Sequence, residues 1–543
     1  MIEPTIILTG FMGTGKSSIG KDLAESLGRR FVDSDDLISQ RTGRSIPELF
    51  EIEGEAAFRA YEQAFAREFA GLEHLVIATG GGLMVDPLNA VLLGRNNIVY
   101  CLKATPEEIL SRLERDGTSR PLLQGRHPQE QLTHLLSQRA TAYAQFKQVE
   151  TTGKPPSEII AEIEESFHNL IESGEWSRPI GCIQVRYPGG AYPVLVGHGL
   201  LKRQGQYLTE LARNVIITDS NVGPLHAQRL DYLEPLRVIS IPAGEGFKTL
   251  DSVRMLYREL LACGADRQTT VIALGGGVVG DMAGFAAATF MRGVPFVQCP
   301  TTVLAMVDAS VGAKTGVDLP EGKNLVGAFK QPQAVFADLD TLVTLSPDDF
   351  RAGLSEIVKH GLIASPSILT QLEGGHLIQD KGRVGEAILP SDEVDLLALI
   401  VEAILIKRDV VEADPFEAGR RKVLNLGHTF AHAIEQVSGY TVRHGQAVAI
   451  GLVAAANLST ELGLCRPALQ QRIEHLLGRL KLPVALPAAL APEKLFKAMR
   501  SDKKKAGGRL QFVLIREVGD VFIASDVPEA AVFATLTTLS GDK

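Results

Sequence analysis

The sequence predicts an α/β chain of three bodies. The first is a P-loop domain on a parallel sheet, the second a Rossmann-like α/β domain, and the third a mostly α-helical, metal-binding domain. Three observations carry this reading. A buried strand, Thr5 to Thr9, runs into GFMGTGKS and then an amphipathic helix. Strand-rich sequence restarts at Cys182 and reaches a triple-glycine turn, Gly275 to Gly277. After Ser346 the pattern turns helical, in runs such as EVDLLALIVEAILIKRDVVEAD. The expected boundaries are 1–172, a linker at 173–181, then 182–345 and 346–543.

Composition bounds the partners. A chain of 543 residues suits three or four domains, each able to bury its own core. The net charge of -9 argues against nucleic acid as a partner, so small anionic substrates need local basic pockets. The five cysteines are scattered with no CxxC, which fits a reducing cytoplasm rather than a disulfide framework. The start, MIEPTIILTGFMG, has neither a basic n-region nor a cleavage site, so it does not read as a signal peptide. No apolar run approaches the roughly 20 residues that span a bilayer, so no membrane partner is expected.

In GFMGTGKS the backbone at Gly13, Thr14 and Gly15 wraps an anion closely, and Lys16, Ser17 and Ser18 open a helix whose N-terminus adds positive potential. Lys16 is placed for the β- and γ-phosphates, and the Ser17 hydroxyl for Mg²⁺. The next strand ends in carboxylates, FVDSDD. Asp33 suits a water-mediated Mg²⁺ contact, and Asp35 suits a substrate hydroxyl. GEAAFRAYE puts Arg59 on a helix. TGGG brings Gly81 and Gly82 to a strand end, where backbone can approach a small ligand. Arg120, in SRPLL, sits in a polar segment at 116–129 and is a candidate to close over ATP. Arg139, with Tyr143 one turn on, lies on a later helix.

These pieces, GFMGTGKS, FVDSDD, GEAAFRAYE, TGGG, SRPLL and RATAY, resemble shikimate kinase in order and spacing over about residues 1–172. The resemblance implies phosphorylation of shikimate by Mg-ATP. It implies that Asp35, Arg59, Gly81, Gly82 and Arg139 hold shikimate, the arginines on its carboxylate. It makes Arg120 the lid residue on ATP.

The stretch SGEWSRPIG is short and polar, holds the single tryptophan, and reads as a linker. The two sides of it show no repeat of each other. Beyond it, the strand NVIIT ends at Asp219, a position where an acidic residue can bind a ribose diol, and Asn221 follows. AGEGFKT offers Glu245 and Lys248. The triple-glycine turn opens an apolar helix, but its spacing differs from GxGxxG, so by itself it supports a nucleotide or phosphate turn. A further strand leads to Thr301 and Thr302, and then to Asp308, Lys314, Lys323 and Asn324.

The helical part carries the metal candidates. His428 and His432 stand four apart on one helical face, and His444 follows. Three of the chain's 12 histidines thus fall within RKVLNLGHTFAHAIEQVSGYTVRHGQ. Glu356, in GLSEIVKHG, is a carboxylate on an otherwise apolar helix. Two histidines and one carboxylate with an open position make a common catalytic zinc set. Helix spacing alone pairs His428 with His432. Lys359, Lys407, Arg421, Asn425 and the tail lysines Lys503 and Lys504 lie in the same part. Such cations beside a metal set and opposite a nucleotide turn suggest a phosphorylated substrate.

The order GEGFKT, GGGVVGDMAGFAAAT, PTT, VDASVGAKTGV, KNLVGAF, GLSEIVKHG, LNLGHTFAHAIE, HGQAVAIG resembles 3-dehydroquinate synthase over about 180–525. The resemblance implies conversion of 3-deoxy-arabino-heptulosonate 7-phosphate to 3-dehydroquinate with loss of phosphate. NAD is regenerated, so the net reaction is that of a lyase. Zinc would sit on Glu356, His428 and His444, which overrides the helix pair and leaves His432 as an active-site histidine beside the metal. NAD would contact Asp219, Asn221, Glu245, Lys248, Gly277, Val278, Asp281, Thr301, Thr302, Lys314 and Lys323. Arg292, Lys323, Asn324, Lys359, Lys407, Arg421, Asn425 and one tail lysine would surround the substrate. A homodimer through the α/β part is also implied. Three positions depart from the family pattern: Gln446 where Glu is common, and Ala431 and Ala313 where Gly is usual. None replaces a ligand. A second reading joins a small-molecule kinase to a zinc- and NAD-dependent polyol dehydrogenase of glycerol dehydrogenase type, which needs no phosphate-binding lysines.

Overall fold

The computed structural model describes residues 4–116, 128–174, 180–206, 213–374, 395–505 and 510–540. The chain divides into two compact units, Met1–Cys182 and Ile183–Lys543.

In the first unit the short apolar runs form five strands: β1 (Ile6–Gly10), β2 (Arg30–Asp33), β3 (Leu75–Ala78), β4 (Ile98–Lys103) and β5 (Lys147–Glu150). Their order is β2-β3-β1-β4-β5, and every pairing is parallel. β1 is buried along its whole length, as a central strand covered by helices must be. The helices Lys16–Ser26 and Pro156–Ser173 lay Ile19, Leu23, Ile159, Ile163 and Phe167 onto Ile6, Leu8, Val76 and Tyr100. The C-terminal ends of β1, β2 and β3 lie side by side, where open parallel sheets bind ligands. The last helix runs to Ser173 and stops at Gly174, which is left-handed and donates its N–H to Leu170 O. The helix therefore reaches one residue into the expected linker. A fragment ending at Gly174 keeps the whole sheet, so we expect it to fold by itself with a cooperative thermal transition. An insoluble fragment beside soluble full-length protein is the contrary outcome.

The second part builds a larger sheet from β6 (Gly181–Tyr187), β7 (Gly190–Gly197), β8 (Asn214–Asp219), β9 (Arg237–Ile241), β10 (Thr270–Gly275) and β11 (Phe296–Pro300). An antiparallel ribbon follows, β12 (Lys314–Leu319) with β13 (Gly322–Phe329), and then β14 (Ala334–Asp338) completes the sheet. The order is β6-β7-β14-β11-β10-β8-β9, parallel from β7 to β9. The helix Gly277–Thr289 follows β10 and packs Val279, Met282, Ala283 and Ala286 against Val215, Ile217, Val271 and Ala273.

Beyond Ser346 the chain is mainly helical, closed by a short antiparallel pair, β15 (Phe512–Glu517) and β16 (Asp520–Ala524). The helices start on local signals. Ser346 accepts the Asp349 N–H at 3.1 Å just before Pro347–Ala364, and Asp395 accepts the Ala398 N–H at 3.0 Å before Leu396–Ala413. The helix His444–Glu461 is buried almost all round. At its first turn Gly445 lies on the backbone of Ala352, where a Cβ would overlap. That close approach brings His444 to Glu356, one turn along the helix Pro347–Ala364. Among the described residues no helix is long and apolar enough to cross a membrane.

Candidate functional site

In the first unit the loop after β1 holds Gly13 and Gly15 in left-handed conformations, which aims its N–H groups at one point. Lys16 Nζ donates to Phe11 O at 2.9 Å. Ser17 Oγ donates to Asp33 Oδ2 at 2.6 Å, while Asp33 Oδ1 accepts the Asp35 N–H at 3.0 Å. Asp33 thus caps the helix Ser34–Thr42 and also faces the P-loop hydroxyl, an arrangement that fits a hydrated Mg²⁺. Ser18 Oγ turns back to Gly15 O at 3.1 Å.

The expected substrate residues meet beside this loop. Arg139 Nη1 and Tyr143 OH both donate to Gly81 O, at 2.8 and 2.5 Å. A Cβ at Gly82 would run into the Arg59 guanidinium, so the chain beyond β3 lies close against that side chain. A side chain at Gly80 would likewise meet the Asp35 carboxylate. Asp35, Arg59, Gly81, Gly82 and Arg139 therefore share one small region: two guanidinium groups for an anion and a carboxylate for a hydroxyl. Arg59 is held by Glu55 at 3.0 Å and Glu62 at 2.6 Å. Glu62 escapes sequence reading, because a helical glutamate looks like a surface residue. It is buried, and burial pushes its carboxyl up to about 7 against the pull of Arg59. Arg120 lies outside the described residues.

In the second unit Glu356 is fully buried. Its Oε1 lies 3.6 Å from His428 Nε2 and 3.5 Å from His444 Nε2, and the three ligand atoms all fall within 4.8 Å of one another. Neither oxygen makes a well-formed hydrogen bond, although the Lys359 ammonium pairs with Oε2. A buried carboxylate with unused lone pairs between two imidazoles is what a divalent cation requires, so the residues fit one. Burial opposes ionisation of Glu356, but Lys359, His444 and His428 together outweigh it and the carboxyl stays well below its usual range. Burial, with Lys359 beside it, pushes His428 down to about 3. Its Nδ1 faces Leu426 O at 3.1 Å, a contact that favours the proton on Nδ1 and the Nε2 lone pair toward Glu356. His432 is exposed on the same helix, its ring centroid 5.6 Å from that of His428. The group around Glu356 is thus closed by His444 from the next helix and not by the i, i+4 neighbour.

Asp308 adjoins this group from a π-turn, Ala305–Ala309, a rare element that clusters at functional sites. Its carboxylate accepts from Lys407 Nζ at 2.7 Å and lies 3.7 Å from Lys359 Nζ. A cavity of about 500 Å³ opens here, lined by Asp281, Asp308, Lys314, Asn324, Lys407 and Arg421 among others. Arg421 donates to Gly312 O and Pro415 O, both at 2.8 Å. Lys314 pairs with Glu417. Burial lowers Lys407 to about 8, partly offset by Asp308.

The nucleotide candidates line the ends of β8 and β10. Asp219 accepts the N–H groups of Asn221 and Val222, both at 2.8 Å. Gly277 and Val278 open the helix after β10, and Asp281 one turn on pairs with Lys248 at 2.6 Å. Lys248 also donates to Asn324 at 2.6 Å. The Thr301 N–H bonds to Gly275 O at 3.0 Å, and Thr302 Oγ1 accepts from Ala305 at 3.1 Å. Lys323 lies between Glu245 at 3.3 Å and Glu435 at 3.0 Å. Asn425, half-buried, ends the turn just before His428. Arg292 is not among the residues that line this cavity; it is exposed, in the turn Phe290–Arg292 that follows the helix Gly277–Thr289. The side chains of Lys503 and Lys504 lie outside the described residues.

Two of the three departures have structural consequences. Gln446 accepts the Arg443 N–H at 3.3 Å and so caps its helix. Ala313 is left-handed, with φ 62°, where the family's glycine is at ease. We expect Ala313→Gly to stabilise the second unit by about 1 kcal/mol, read from its urea midpoint. No change, or destabilisation, would count against strain there. Ala431 is fully buried within its helix.

Family models match three stretches: shikimate kinase at 12–168, 3-dehydroquinate synthase N-terminal at 238–352, and 3-dehydroquinate synthase C-terminal at 353–505. The 3-dehydroquinate synthase of Acidithiobacillus ferrooxidans is 45% identical over 354 residues, 64% of this chain and 94% of the relative. That of Desulforamulus reducens is 44% identical over 369 residues, 66% of this chain and 100% of the relative. Among solved structures, the 2-epi-5-epi-valiolone synthase of Streptomyces hygroscopicus subsp. jinggangensis, with NAD⁺ and Zn²⁺ bound, aligns with a TM-score of 0.58 at 29% identity, over 65% of this chain and 97% of that one. Fold and sites together define a P-loop phosphotransferase followed by an α/β and helical lyase. The chain belongs to the 3-dehydroquinate synthase family and carries a shikimate kinase domain ahead of it. It is a bifunctional shikimate-pathway enzyme, and these matches do not favour the polyol dehydrogenase reading.

Proposed function

We propose that the first unit transfers the γ-phosphoryl group of Mg-ATP to shikimate, and that the second converts 3-deoxy-arabino-heptulosonate 7-phosphate to 3-dehydroquinate with release of phosphate. The observation that carries the second assignment is the cavity beside Glu356, His428 and His444, which Lys314, Lys407 and Arg421 line. Asp281, Asp308 and Glu417 line the same cavity, and Asp308 and Glu417 pair with Lys407 and Lys314; cations that can turn from these partners to a phosphate and a carboxylate suit a phosphorylated sugar acid, and a neutral polyol has less use for them.

In the kinase, Lys16 holds the β- and γ-phosphates, Ser17 and Asp33 hold Mg²⁺, and Asp35 orients the attacking hydroxyl. Arg59 and Arg139 grip the shikimate carboxylate beside Gly81 and Gly82, and Arg120 closes on ATP. In the synthase, Glu356, His428 and His444 hold zinc. Asp219, Asn221, Glu245, Lys248, Gly277, Val278, Asp281, Thr301, Thr302, Lys314 and Lys323 bind NAD. When bound, the metal supplies Lewis acidity at a substrate hydroxyl and NAD a hydride acceptor restored within each turnover. Lys314, Lys407 and Arg421 orient the phosphate and carboxylate, with Lys323, Asn324 and Asn425 at the edges. Lys359 keeps Glu356 ionised. His432, exposed beside His428, is placed to move a proton between substrate and solvent. A homodimer through the α/β part and a cytoplasmic location belong to the same reading. The family resemblance supports the first, and five free cysteines support the second.

The test is phosphate release from the heptulosonate phosphate with NAD⁺ far below the substrate concentration. Many turnovers per NAD⁺ without lasting NADH absorbance are expected. NADH accumulating in step with product is the dehydrogenase result and overturns the proposal.

A further inference from the structure

Glu435 makes contacts that none of these roles uses. It lies on the helix His428–Val437, two turns after His428, and is 2% exposed. One oxygen, Oε1, lies 3.0 Å from Lys323 Nζ and 3.4 Å from His444 Nδ1. The other nitrogen of that imidazole, Nε2, faces Glu356 at 3.5 Å. A single carboxylate oxygen therefore touches the rear of a metal-ligand candidate and a lysine of strand β13. Lys323 is in turn paired with Glu245, which borders the nucleotide side. The Lys323 ammonium donates to this same oxygen, so the buried carboxylate has a cation on one side and the imidazole on the other.

We propose that Glu435 is a positioning residue that keeps the His444 proton on Nδ1, leaves the Nε2 lone pair toward the metal, and ties that imidazole to Lys323. The proposal rests on the zinc reading given above. A neutral imidazole carries one N–H, and the group facing one nitrogen decides which nitrogen is free to ligate. His428 has a backbone carbonyl in this role, Leu426 O. Only His444 depends on a charged side chain, so its orientation is open to removal by a single substitution. Gln446, although two residues from His444, does not share the task, because its oxygen caps the helix. The contact with Lys323 adds a second consequence. Glu435 belongs to the metal-bearing helices and Lys323 to the ribbon of the α/β part, so one carboxylate joins the two halves of the site.

The test uses the full-length chain, stripped of metal and reloaded with cobalt(II), whose d–d absorption reports ligand geometry. Glu435→Gln keeps the shape and removes the charge. It should weaken cobalt binding by about 10- to 100-fold and shift the absorption band. Parent-like affinity and spectrum overturn the proposal. Lys323→Met leaves the carboxylate on His444, so cobalt affinity should stay within about threefold of the parent while NAD⁺ binding weakens. A loss of cobalt in Lys323→Met as large as in Glu435→Gln overturns the direct action on His444. If Glu435→Gln does not fold, Glu435→Asp takes its place. Its stem is shorter by about 1.5 Å, so the carboxylate withdraws from Nδ1, and cobalt binding should fall at least about tenfold. Parent-like binding there also overturns the proposal. His444→Ala separates this failure from failure of the zinc reading. Cobalt retained in His444→Ala means that the ligand set is wrong. Cobalt lost there but kept in the Glu435 variants means that the ligands stand and the positioning role does not.

Discussion

Replacing Lys16 with alanine should abolish shikimate phosphorylation and leave phosphate release from the heptulosonate phosphate unchanged. Lys16 heads the helix Lys16–Ser26 and is buried within the P-loop, its Nζ held at Phe11 O. A bound triphosphate offers stronger acceptors at the same place, and the transferring group carries its charge on equatorial oxygens. Removing one preorganised cation from that charge costs roughly 4 kcal/mol, which is about a thousandfold in rate. The effect stays local because β1, its loop and its helix all belong to Met1–Cys182, whereas the zinc and cation groups belong to Ile183–Lys543. The measurement is a pair of assays on one preparation: ADP formation with shikimate, and phosphate release with catalytic NAD⁺. Loss of both in folded protein contradicts the assignment.

His428→Ala should remove both the metal and synthase activity, whereas His432→Ala should keep the metal and lose rate. His428 and Glu356 are buried and His444 closes the group from the next helix, so removing His428 leaves two protein ligands. Two ligands do not hold zinc against a chelator. His432 lies outward on the same helix, and a proton-transfer group there is worth about 10²–10⁴ in rate with little effect on metal affinity. Metal per chain after dialysis against a weak chelator separates the cases. Metal lost in His432→Ala and kept in His444→Ala would restore the helix pair, His428 with His432, as the ligand set.

Local sequence was enough for the elements that carry their own signal. TIILT followed by GFMGTGKS reads as a strand, an anion loop and a helix, because glycine freedom and the helix N-terminus act within a few residues. Ser346 before Pro347 marks a helix start for the same reason. The order of the motif blocks determined the family of each part and the list of site residues. What the residues could not show was which of three histidines joins Glu356. Helical period favours His432, because neighbours on one helix are set by local geometry. The choice falls to His444 through the approach of two helices at Gly445 and Ala352, and that is a property of packing between segments far apart in sequence. Glu62 and Glu435 were missed on similar grounds. A glutamate on a helix is usually solvated, and only tertiary burial turns these two into partners of Arg59, Lys323 and His444. Arg292 shows the reverse: a motif residue that packing within one chain leaves exposed, in the turn that follows the helix Gly277–Thr289. The sequence by itself determined the two activities and their residue types, because their motifs act at short range. Local spacing could not choose among the histidines, and beyond what the resemblance implied only the tertiary structure shows which side chains lie together, because burial and the approach of distant helices set those contacts.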